Sequence, residues 1–151
     1  MVANALDSLT DLYMADEVAW RDTMVELIGD GQLRDLDYGH LKELLEDMSR
    51  SDRREVESRL ELLLVHLLKW MYQRKKRTQS WRRTIREQGR ELSRDFRSSK
   101  TLRNHAETIL TETYAEAVKW AVEETKLPED AFPAECPWTL KQLLSAEVLG
   151  E

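Results

Sequence analysis

Apolar residues recur along this chain at three- and four-residue intervals, the spacing of one face of an α-helix. Trp20, Met24 and Leu27 share such a face behind Asp16, whose carboxylate suits the free N–H groups of a first turn. Gly29-Asp30-Gly31 is expected to end that helix, because glycine accepts the left-handed backbone of a terminus. A second helix is expected behind Asp37 as its cap, with Leu41, Leu44, Leu45 and Met48 on one stripe. A third is expected from about Asp52, where Glu55 completes a capping-box-like start. In it Val56, Leu60, Leu63, Leu67 and Met71 share a face, while Leu62, Val65 and Leu68 lie outside it. A helix that is apolar nearly all round is buried on several sides, which puts helix 52–73 at the centre of the fold.

The fourth helix is expected over about 81–96, capped by Ser80. Trp81, Ile85, Leu92 and Phe96 cluster on one side of it, Arg82, Arg83, Arg86, Arg90, Arg94 and Arg97 lie opposite, and Glu87, Glu91 and Asp95 line one flank. A break is expected between the third and fourth helices, since one rod of about 45 residues would span about 68 Å. A fifth helix over about 102–125 carries Leu102, Ala106, Ile109, Ala117 and Trp120 inward. Pro128 and Pro133 interrupt the pattern, and Pro137 is expected to begin a last short helix that packs through Leu140, Leu143 and Leu144. No segment reads as a strand. The expected architecture is all-α: one compact bundle over residues 1–151, of about five main helices plus a short C-terminal one, with residues 1–12 as a mobile tail.

The composition agrees with long helices, since 151 residues include only five glycines and three prolines. The lone cysteine, Cys136, permits no disulfide within the chain and fits a reducing compartment. The N-terminal sequence has no basic flank or apolar core of a signal peptide, and the richest apolar run, residues 62–68, is too short to span a bilayer. A cytoplasmic protein without membrane attachment is expected.

Charge changes the picture more. The net charge of −6 conceals a segment, residues 69–103, with 13 Lys/Arg against three acids. Residues 15–47 and 104–151 each carry ten acids and three bases. The cationic segment is expected to form a binding face of Lys69, Arg74, Lys75, Lys76, Arg77, Arg82, Arg83, Arg86, Arg90 and Arg94. Its favoured reading is a non-enzymatic interaction module that takes an acidic protein partner or a second copy of the chain. The alternative is nucleic acid, since guanidinium forks suit phosphate oxygens; against it, no reading motif is present and the pI is about 5.2. Pairs such as Arg83–Glu87 and Glu87–Arg90 are expected to support the helix locally.

Catalytic chemistry is poorly served. No Glu-x-x-His pair of a di-metal bundle occurs, and only His40 has acids, Asp37 and Glu43, at helical spacing. Cys136 lacks a partner cysteine and reads as a packed residue before Pro137. No phosphate-binding glycine loop is present, and no nucleophile, base and orienter assemble. No metal or cofactor is expected. A third and weaker reading is an enzyme with a site near His66, Glu87 and Gln88.

The segments HLLKWMYQ (66–73), SWRRTIREQ (80–88) and FPAECPWTLKQLL (132–144) together resemble the bacterial domain-of-unknown-function 29 family. LYMADEVAW (12–20) and SDRREVESRL (51–60) extend the likeness from about residue 10 to the end. The resemblance implies a compact all-helical fold and no assigned activity. It marks His66, Lys69, Trp70, Trp81, Arg82, Ile85, Arg86, Glu87, Gln88, Cys136 and Pro137 without giving any of them a role. Relatives often place proline soon after the Tyr-Gln pair, where this chain has Arg74.

Overall fold

The computed structural model describes residues 3–150, with side chains from residue 8 onward. Six α-helices follow in order: α1 (Ala3–Ala15), α2 (Glu17–Gly29), α3 (Tyr38–Tyr72), α4 (Gln79–Ser98), α5 (Lys100–Thr125) and α6 (Leu140–Leu143). Short 3₁₀ turns lie at Leu33–Asp35, Arg74–Lys76, Glu129–Ala131 and Ala146–Leu149. Among the described residues there is no strand, so the all-α class holds. By packing, the chain resolves into two compact units, residues 1–50 and 51–151. Of the residues expected as a tail, those from Ala3 onward belong to α1, while residues 1 and 2 lie outside the described residues.

The first unit holds α1, α2, the Leu33–Asp35 turn and the start of α3. Trp20, Met24 and Leu36 form its buried core, with Leu12, Tyr13, Leu27 and Leu41 packed around them. Asp16 caps α2 by accepting from the Ala19 N–H at 3.1 Å. Asp30 ends that helix and Gly31, at φ +72°, turns the chain out of it, as expected of Gly-Asp-Gly. Asp37 has more than a capping role. Its Oδ1 accepts from the His40 N–H at 3.3 Å, and its Oδ2 accepts from the Trp20 indole N–H at 3.1 Å and lies 2.7 Å from His40 Nδ1. Tyr13 stacks on the His40 ring with centroids 4.1 Å apart. Burial alone pushes the Asp37 carboxyl up, but the bonds from the His40 side chain, the His40 backbone and Trp20 outweigh it and hold the group below its ordinary value.

The expected start of a third helix at Asp52 is incorrect: α3 runs unbroken from Tyr38 to Tyr72. Ser51 and Asp52 are only mildly unfavourable inside a helix, and beyond Gly39 the span has no glycine or proline to stop it. Residues 46–54 are nearly all polar, and local pairs support this stretch of helix: Lys42–Glu46 at 3.4 Å, Asp47–Arg50 at 2.6 Å and Glu55–Arg59 at 2.7 Å. With little apolar surface to pack there, the boundary between the units falls inside the helix.

In the second unit the latter half of α3 is central, as its all-round apolar pattern requires. Leu60, Leu63, Leu64, Val65, Leu67 and Leu68 are fully buried. They pack with Ile85 and Leu92 from α4, Ala106, Tyr114, Ala117 and Ala121 from α5, and Phe132, Leu140, Leu143 and Leu149 from the C-terminal segment. Burying each Leu contributes about 1.5–3 kcal/mol relative to exposure. The expected break after α3 is present, but α4 begins earlier than expected and its cap is Thr78, not Ser80, accepting from the Trp81 N–H at 3.1 Å. Pro137 does not open the last helix. Thr139 caps α6 in a full capping box with Gln142, and this pair of reciprocal bonds moves the start three residues on.

Candidate partner-binding groove

The cationic segment divides into two parts with different neighbours. At the corner after α3, three of its cations turn onto tryptophan. Lys69 Nζ lies 2.6 Å from Glu124 Oε2 and 4.6 Å from the centre of the Trp81 ring. Arg77 donates from Nε to the Trp70 carbonyl at 2.8 Å, which satisfies an orphan acceptor at the end of α3, and its guanidinium sits 4.3 Å above the Trp70 ring. Arg82 lies 5.6 Å from the same ring. Trp70 itself is buried and donates its indole N–H to the Leu149 carbonyl at 2.9 Å. The Lys69 hydrogen bond, against the upward push of burial and with help from Trp120, holds the Glu124 carboxyl below its ordinary value. Lys69, Arg77 and Arg82, expected on the binding face, thus make contacts within the fold. Trp70 and Trp81 act as core anchors. The exposed Tyr72 meets Phe132 edge-on, with ring centroids 5.4 Å apart.

Along α4 the acidic flank is tied to α3. Arg59 bonds Glu55 at 2.7 and 3.0 Å and donates to Gln88 Oε1 at 3.1 Å. Burial, with the Glu55 and Glu91 carboxylates nearby, pushes the Asp95 carboxyl up despite Arg59 and Arg94. Within α4, Glu91 and Arg94 pair at 3.6 Å, while among the described residues Arg83–Glu87 and Glu87–Arg90 do not pair. The exposed Arg74, Lys75, Lys76, Arg83, Arg86, Arg90 and Arg94 are left on the water-facing side.

The opposite flank of α4 forms a groove with the C-terminal segment. One cavity of about 470 Å³ lies over Ile85, Gly89, Leu144 and Val148, with Arg86 and Arg90 at its edge. A second of about 590 Å³ shares Ser93, Leu144 and Ser145 with it and continues over Phe96, with Arg97, Arg103 and Lys141 at its edge. The floor is mainly apolar, and every charged residue of both linings is a cation. Arg90, Arg97, Arg103 and Lys141 form no ion pair among the described residues. Sequence reading reached Arg86, Arg90 and the Arg97 stripe, and Leu144 as a packing residue, but did not place Arg103, Lys141 or Val148 beside them, since no helical period links these segments.

The other candidates lie elsewhere. His66 is half-buried with Nδ1 2.9 Å from the Leu62 carbonyl, and burial, aided by the Lys69 charge, holds its pKa down. Glu87 is exposed and Gln88 is held by Arg59. These three residues line neither cavity of the groove. Cys136 is half-buried, its thiol pushed up by burial and donating to the Trp138 carbonyl at 3.3 Å. Among the described residues no group of three or more His, Cys, Asp or Glu is placed to hold a metal ion. Among the described residues no helix is long and apolar enough to cross a membrane.

These features define an all-helical chain with a cation-rimmed groove along α4. The chain belongs to the family described as Domain of unknown function DUF29, which it matches over residues 12–149. No curated protein and no solved structure matched the chain.

Proposed function

We propose that this protein is a non-enzymatic interaction module that binds an acidic helical segment of a partner protein along the α4 groove. The observation that carries this reading is the lining itself: an apolar floor with only cations on its rim. Apolar side chains of a partner helix fill the floor, as in other helix-in-groove complexes, while carboxylates on its flanks meet Arg90, Arg97, Arg103 and Lys141. Arginine suits this role, because its planar fork takes a carboxylate bidentately and is weakly hydrated. Arg74, Lys75, Lys76, Arg83 and Arg94 add a long-range field that speeds encounter more than it holds the complex. Nucleic acid fits this floor less well, since its affinity comes from phosphate contacts and stacking, and the tryptophans here are engaged internally.

The test is fluorescence anisotropy with two labelled probes, a synthetic Glu/Leu amphipathic helix and a single-stranded oligonucleotide of equal charge. The peptide is expected to bind, and Arg90→Gln with Arg97→Gln to weaken it at least about tenfold. Equal peptide binding by the double variant would remove the groove from the account. Binding of the oligonucleotide alone, with a steep salt slope, would replace this reading with a nucleic-acid one.

A further inference from the structure

The first unit exposes apolar surface that its own core does not use. Of nine large apolar side chains exposed among the described residues, eight lie between Met14 and Met48. Three of them, Val18 at 59%, Val25 at 68% and Ile28 at 52% exposure, lie along the exposed side of α2, with Val18 and Val25 opposite Trp20 and Leu27, Ile28 nearer Met24, and Arg21 between Val25 and Ile28. Glu17 and Asp22 edge this stripe, Glu26 lies beyond Asp22, and Arg21, the only base on the helix, sits within it. Exposed apolar faces edged by charge mark interaction surfaces.

We propose that the occupant of the groove is α2 of a second copy of this chain. This rests on the groove reading above and commits it to one partner. Two complementarities support it. The stripe from Val18 to Ile28 rises about 15 Å along its helix, and the floor from Ile85 to Phe96 rises about 17 Å along α4. The helix edges carry acids where the groove rim carries only cations. Each copy carries both surfaces, so a pair that docks reciprocally uses two equivalent contacts.

The experiment is sedimentation velocity on the full chain up to about 100 µM, at about 50 mM and about 500 mM salt. At low salt the mass is expected to exceed the 17.8 kDa of one chain, and to fall toward it at high salt. Arg90→Glu with Arg97→Glu, and separately Asp22→Lys with Glu26→Lys, are each expected to raise the dissociation constant at least about tenfold. Mixing the two variants restores opposite charge at both contacts and is expected to restore assembly. Circular dichroism on every variant confirms retained helix. A wild-type chain that stays at 17.8 kDa overturns the proposal. So does assembly that neither reversal weakens, or a mixture that fails to recover. A chain that is monomeric yet still binds the Glu/Leu peptide overturns only the self-docking and leaves the groove as a site for another protein.

Discussion

Replacing Asp37 by Ala removes the most connected polar group of the first unit. Its carboxylate is 4% exposed and takes three donors: the His40 N–H, the Trp20 indole N–H and His40 Nδ1. Losing the cap costs about 1 kcal/mol. Leaving the buried indole N–H without an acceptor costs about 1–3 kcal/mol. The charge-assisted bond to the partly exposed His40 adds up to about 1 kcal/mol, and relief from burying a carboxylate offsets part of the total. The net expectation is about 3 kcal/mol, or about a hundredfold in the opening equilibrium. Hydrogen exchange followed by mass spectrometry reads this directly as faster exchange in peptides from residues 17–50. Asp37→Asn keeps the shape and one acceptor oxygen but loses the charge, and should fall between Ala and wild type. Acid supplies a second arm. The folded-state pKa lies below the unfolded one, so this stabilisation is full above about pH 4 and is lost as pH falls through the folded value. The Ala variant should lack that part of the acid sensitivity. Protection in α2 within about twofold of wild type would refute the reasoning.

Other substitutions test the backbone. Arg53→Pro would be tolerated if a helix began at Asp52, because proline fits a first turn; inside the continuous α3 it should cost about 3 kcal/mol or more, read as a lower urea midpoint. Lys126 ends α5 with φ at 62°, a backbone that suits glycine better than lysine. Lys126→Gly should therefore raise stability by about 0.5–1 kcal/mol, seen as a higher melting temperature, and a loss would show that the lysine side chain makes up the difference.

How far the sequence reached follows from what each signal is. The centre of the second unit was legible because Val56, Leu60, Leu63 and Leu67 with Val65 and Leu68 leave no polar side to α3, and period alone demands burial for such a helix. The caps at Asp16 and Asp37 were legible because each precedes an apolar stripe. Ser51-Asp52 misled, since the same residues that start helices are tolerated within them when nearby pairs support the turn. Thr78 and Thr139 escaped notice because a hydroxyl cap differs little in sequence from its serine and proline neighbours. The cationic character of the 69–97 segment was plain, but its division was not. Whether an arginine lies over Trp70 or borders a groove depends on chain segments far away in sequence, and helical period carries no information about them.

The bond from the Trp70 indole to the Leu149 carbonyl ties together residues 79 positions apart and has a consequence for biosynthesis. Translation delivers a chain from its N-terminus onward. The leucines of α3 are made well before Leu140, Leu143 and Leu149, which cover them. Until residue 149 has been made, the apolar half of α3 stays open on that side, so the nascent second unit exposes it to water.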